Sequence, residues 1–221
     1  MFPLKGVGRM YEAILTYFRQ DSRDYAMLVL QHLRVSGFSV LVALAIGLPL
    51  GIYSSFHEKL YNFFSGFFGI LSVIPSLAVL FICIPIFGVG VVPATIALTF
   101  LAVPPILINT AVGFRNIPGP ILETAVGMGM DGGDIFRKIR LPLAAPMMLT
   151  GIRTAAVEVI ASATLASYIG AGGLGDLIFT GLGLYRMDFL LIGGLSVAAL
   201  SLLVDLILSL AEFGMTKYER A

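Results

Sequence analysis

Apolar runs longer than the roughly 20 residues that cross a bilayer as a helix recur along this chain of 221 residues. They leave little choice of fold. Lipid supplies no partner for a backbone N–H or C=O, so a spanning segment must be a helix or part of a closed barrel. Uninterrupted stretches such as VSGFSVLVALAIGLPLGIY argue against a barrel. Only 12% of residues are charged, about half the share of a soluble domain. The reading is an all-α integral membrane protein, with little room for a soluble domain.

Five transmembrane helices are predicted, over about 27–53, 61–87, a stretch ending near 112, 143–169 and 189–213. Pro75 and Pro85 interrupt the second, and Gly88, Gly90 and Pro93 allow a tight reversal into the third. Residues 1–24 are mixed and charged; their stretch MYEAILTYF suits an amphipathic helix at the interface but is too polar to span. No signal peptide is read at the N-terminus. Five spans put the chain ends on opposite faces. The side of the 113–142 loop carries seven basic residues against six on the other, so the positive-inside rule leaves orientation open. Gly47 and Gly51, Gly66 and Gly69, and Gly193 and Gly194 read as close helix packing. Pro75, Pro85 and the Pro104–Pro105 pair imply kinks or broken helices.

Two glycine patterns, Gly127-x-Gly129-x-x-Gly132 and Gly170-x-Gly172-x-x-Gly175, spell a dinucleotide fingerprint. Neither follows a strand in a βαβ unit, so neither carries that meaning. There is no phosphate-binding G-x-x-x-x-G-K-[ST], no cluster with metal-ligand spacing and no catalytic constellation. Cys83 stands alone in an apolar run, and His32 reads as a packing residue.

The polar, patterned segment is ETAVGMGMDGGDIFRKIRLP, inside the 113–142 loop. Pro118 and Pro120 suit the first turn of a helix, with Glu123 near its positive end. Ile121, Leu122, Ala125 and Met128 form an apolar stripe, and Gly127 and Gly129 end the helix. Asp131 or Asp134 then caps a second helix, IFRKIRL, in which Ile135, Phe136 and Ile139 face one way, and Pro142 stops it. An apolar ridge outside the membrane needs cover. Docking into a groove of a partner supplies it; lying on the lipid surface is the alternative.

These residues carry a resemblance. E-x-A-x-x-x-G, nine residues, then I-x-L-P is similar to the loop signature of the membrane subunits of bacterial ABC importers, served by binding proteins. Glu123, Ala125, Gly129, Ile139, Leu141 and Pro142 fall on its positions, and Thr124 departs from it mildly. The segment 151–182, GIRTAAVEVIASATLASYIGAGGLGDLIFTGL, resembles more narrowly the glycine betaine, carnitine and choline (osmoprotectant) branch.

The resemblance implies the type I ABC importer permease fold over 25–221, after an extracytoplasmic or interfacial segment 1–24. It implies a cytoplasmic coupling helix, seated in a groove of a separate ATP-binding subunit, with an external N-terminus. The coupling residues would be Glu123, Thr124, Ala125, Gly129, Asp131, Ile139, Leu141 and Pro142. The chain would be a transport subunit rather than an enzyme and would hold no cofactor, ATP and magnesium belonging to the ATPase. Its other partners would be a second permease chain, a solute-binding protein and lipid, in the bacterial cytoplasmic membrane. The expected cargo is a compatible solute, with methionine or another small zwitterion as the alternative. A stand-alone channel or secondary transporter is the reading from another class; no internal repeat of the sort such carriers show is found.

Charges inside the spans are functional candidates by default. Arg153 either snorkels to the interface or pairs with Glu158, which otherwise faces the translocation path; Asp205 is a third. Tyr168, Phe179 and Tyr185 could meet a quaternary ammonium through their rings or simply anchor the chain at the interface.

Overall fold

A computed structural model describes residues 4–71 and 74–216, and every regular element among them is a helix. α1 (Leu4–Gln20) leads through Asp21 into α2 (Ser22–Ser55), and α3 (Glu58–Leu71) follows a short turn. α4 (Ser76–Phe87) and α5 (Val91–Arg115) form the next hairpin. α6 (Gly119–Gly127) and α7 (Gly132–Ile135) build the polar loop, and a π turn (Phe136–Arg140) joins α7 to α8 (Leu141–Ala166). After a 3-10 turn come α9 (Gly175–Gly183) and α10 (Met187–Thr216).

Among the described residues, four helices are long and apolar enough to cross a bilayer: α2, α5, α10 and the run Gly132–Ile169, which contains α8. The second expected span is a pair. α3 and α4 have 14 and 12 residues, each short of a crossing. Proline is the reason. Pro75 adopts an extended ψ of 134° and precedes the first residue of α4, because it has no N–H to bond backwards and its ring crowds the preceding turn. Pro85, in contrast, is accommodated within α4. The five-helix reading thus holds in outline, with one crossing made of two pieces.

α5 lies at the centre, packed on α2, α4 and α8. Its contact surface mixes large side chains such as Leu98 and Ile106 with small ones, Ala94, Ala97, Ala102 and Ala111, all buried, and the small ones let backbones approach closely. Glycine is required where they meet. A β-carbon at Gly51 would lie 2.7 Å from the Leu107 carbonyl oxygen, and one at Gly151 would lie 2.6 Å from that of Pro105. Gly47 meets Ile106, and Gly193 meets Ile178. Gly66, Gly69 and Gly194 have nothing within 4 Å and do not serve this purpose. A second, smaller core joins α1, α8, α9 and α10 through Tyr17, Ile160, Leu177 and Ile192. There Tyr17 meets the ring of Phe189 edge-on at 5.5 Å, so the helix expected at the interface is also packed against α10.

The contacts sort the connections onto two faces. Phe56 after α2, Phe114 and Arg115 ending α5, and Phe136 and Arg140 in the π turn gather at one end. Phe114 stacks on Phe136 at 5.7 Å, Arg140 lies 5.0 Å over Phe56, and Arg115 lies 4.3 Å over Tyr61. The last turns of α10 reach the same end, where Thr150 donates to Glu212 at 2.8 Å. At the opposite end His32 Nε2 meets the Ile160 carbonyl at 3.0 Å, Gly173 N–H donates to Gln31, and Gly90 N–H donates to the Ile169 carbonyl. The 113–142 loop and the end of α10 therefore share one face.

Candidate functional site

The loop is a compact knob with three built-in locks. α6 starts with Pro118 as its cap and Pro120 in the first turn, positions where a missing N–H costs nothing. It ends in a Schellman closure: Met130 N–H donates to the Ala125 carbonyl at 3.1 Å and Gly129 N–H to the Val126 carbonyl at 2.9 Å. That pattern needs a left-handed residue, and Gly129 supplies it at φ +80°. Asp131 then caps α7, its carboxylate accepting from Asp134 N–H at 2.8 Å. Asp134 in turn pairs with Lys138 at 2.9 Å, one turn along.

Two features differ from expectation. Pro142 does not stop the second helix; α7, the π turn and α8 run on as one rod, Gly132–Ile169, of 38 residues. The widened turn accommodates the prolyl ring, and Leu141 N–H reaches back five residues to the Phe136 carbonyl. Nor is the apolar ridge laid out as the spacing implied. Ala125 is fully buried where the chain doubles back, and Phe136 turns inward onto Phe114. The outward apolar surface is Ile121, Val126 and Met128, of which Val126 has no sequence signal. Glu123 and Thr124 are exposed beside it, and Ile139 is half-buried. Leu141 and Pro142 sit exposed at the start of α8.

Of the charges in the spans, Arg153 is partnered by α10. Its Nε lies 2.5 Å from Asp205 and its Nη1 3.3 Å from Glu212. Arg153 does not pair with Glu158. The Glu158 carboxylate makes no hydrogen bond or ion pair among the described residues. Instead it lines a cavity of about 260 Å³ between α4, α5 and α8, with Asn109, Thr154, Phe100 and the Pro104–Pro105 pair. Tyr168 is exposed at the face opposite the loop, in ring contact with Phe81 at 6.0 Å and Phe179 at 5.3 Å. Tyr185 is 93% exposed at the tip of the α9–α10 turn, away from that cluster. The cavity was not legible beforehand; its one signal was the double proline facing an ionisable residue.

A helical membrane bundle that holds out a capped knob, and has a mostly apolar cavity with one carboxylate among its helices, has the form of a membrane transport subunit. Residues 43–217 match the binding-protein-dependent transport system inner membrane component, and the chain belongs to this family. It is therefore a multi-pass permease subunit of an ABC importer in the bacterial cytoplasmic membrane. It is similar to the carnitine transport permease protein OpuCB of Listeria monocytogenes, 42% identical over 93% of this chain and 94% of that protein. It is 38% identical to the choline transport system permease protein OpuBB of Bacillus subtilis, over 92% and 94% of the two chains. In fold it resembles a chain of the inward-facing MetNI methionine ABC transporter, with a TM-score of 0.77 at 24% identity over 87% of this chain and 96% of that one.

Proposed function

We propose that this chain is the permease subunit of an ATP-driven importer for compatible solutes: glycine betaine, carnitine and choline. The observation that carries the reading is likeness along nearly the whole chain to permeases named for carnitine and choline transport. The methionine alternative has support at the level of fold only. The knob, centred on Glu123, Ala125, Gly129 and Asp131, seats in a groove of a separate ATPase, with Val126 and Met128 as its apolar contact. Two permease chains enclose the path, and a separate solute-binding protein delivers cargo to the face that carries Tyr168. Closure of the ATPases draws the two knobs together and turns the path from inward- to outward-open.

The test is uptake. Cells with and without the permease, expressed with its ATPase and binding protein, are given labelled glycine betaine, carnitine, choline and methionine. Uptake of the first three should depend on the permease and methionine uptake should not; the reverse result moves the chain to the methionine branch.

Sidedness follows from the same reading. The knob and the end of α10 are cytoplasmic, and α1 is on the outside. With Cys83→Ala removing the native thiol, Tyr11→Cys should react with a membrane-impermeant thiol reagent added to intact cells. Met215→Cys should react only after lysis. Labelling of both from outside would refute this orientation.

A further inference from the structure

The cavity beside Glu158 is unusual in its balance of polar groups. Pro104 and Pro105 have no N–H to offer the carbonyls of Phe100 and Leu101, four residues back, and both of those residues line the cavity. Thr154 spends its hydroxyl proton on the Thr150 carbonyl at 2.9 Å. Asn109 commits an amide N–H to the Pro105 carbonyl at 2.8 Å. The polar side chains of the lining are thus Asn109, Thr154 and the unpartnered carboxylate of Glu158, with no cationic side chain among the lining residues. Such a lining repels anions and attracts cations.

The remaining walls narrow the kind of cation. Ile74, Val79, Phe100 and Ile108 are apolar, and Phe100 adds an aromatic ring. A hard metal ion wants a cage of some six oxygens and gains nothing from such walls. A quaternary ammonium carries its charge on a methyl-covered head that gives no hydrogen bonds, and it is held by counter-charge, ring faces and apolar contact. We infer that the Glu158 cavity is a transit site for the quaternary-ammonium head of the cargo. Glu158 provides the counter-charge, and Phe100 provides the ring. The inference rests on the osmoprotectant reading above and adds where the cargo meets this chain. The open, mostly apolar lining makes a shallow site, suited to passage rather than storage.

The experiment uses the complete importer, with permease, ATPase and binding protein, reconstituted in lipid vesicles and supplied with choline at saturating binding protein. Glu158→Gln keeps the size and removes the charge. It should lower the initial uptake rate about ten-fold, the effect of roughly 1.4 kcal/mol, and Glu158→Asp should recover part of it. Choline uptake by Glu158→Gln at the wild-type rate overturns the inference while leaving the function standing; a wild-type importer that moves none of the proposed solutes defeats the function itself. An independent readout covers a Glu158→Gln complex that fails to assemble. In a Cys83→Ala, Thr154→Cys permease, choline should slow modification of the cavity thiol, and equimolar sodium should not. Equal protection by sodium, or none by choline, overturns the inference.

Discussion

Replacing Gly151 with leucine should leave almost no folded permease to recover. A β-carbon there lies 2.6 Å from the Pro105 carbonyl oxygen, 2.8 Å from Asn109 Cβ and 3.3 Å from Ile106 Cα. None of these is the free end of a flexible side chain, so relief requires α5 and α8 to move apart. Those helices share the main core, in which Ala155 and Val159 of α8 are fully buried. Overpacking on this scale costs about 3 kcal/mol, a large part of a typical stability. Gly66→Leu is the control, since nothing lies within 4 Å of that position, and it should behave like wild type. Yield and thermal midpoint of the detergent-purified protein measure the effect; equal values for the two variants would refute the packing account.

Gly129→Leu should act quite differently, sparing the membrane core and damaging the knob. Its surroundings are open, so no clash propagates into the bundle. The cost lies in the backbone: φ is +80°, and a bulky L-residue there loses roughly 1–2 kcal/mol. The chain would escape by abandoning the Schellman closure, which releases α6 from α7 and scatters Ile121, Val126 and Met128. The purified permease should keep its thermal midpoint while co-purifying ATPase falls about ten-fold. Glu123→Lys, which reverses an exposed charge on the same helix, should also weaken the complex. ATPase recovery and transport at wild-type levels in both variants would remove the loop from its proposed role.

The spans were legible because lipid imposes both length and composition on a crossing helix, and hydropathy reads both. The knob's caps were legible too, since Gly129 and Asp131 act within a few residues of their own positions. What tertiary contact decides was not. Gly47 and Gly66 look alike along the chain, yet only the first meets a neighbouring helix. Arg153 and Glu158 are close in sequence, but five residues turn a helix by about 140° past a full revolution, so the two point apart. The true partners, Asp205 and Glu212, lie on another helix. The continuation through Pro142 was hidden because a proline normally ends a helix, and the π turn that admits it has no sequence signature of its own.

That continuation makes one lever of two distant places. From Gly132 at the knob to Glu158 at the cavity is about 39 Å of unbroken helix at 1.5 Å per residue. Sharp bends in a helix sit at prolines and widened turns, and here the π turn and Pro146 both lie at the knob end of the rod, which leaves the stretch from there to Glu158 to move as one piece. The π turn lies beside the knob, with Phe136 stacked on Phe114 and Arg140 over Phe56 as a bearing. Pivoting there, a small sideways displacement of the short arm becomes a larger swing of the long one. In the proposed coupling role, the carboxylate of Glu158 would then travel farther than the knob itself.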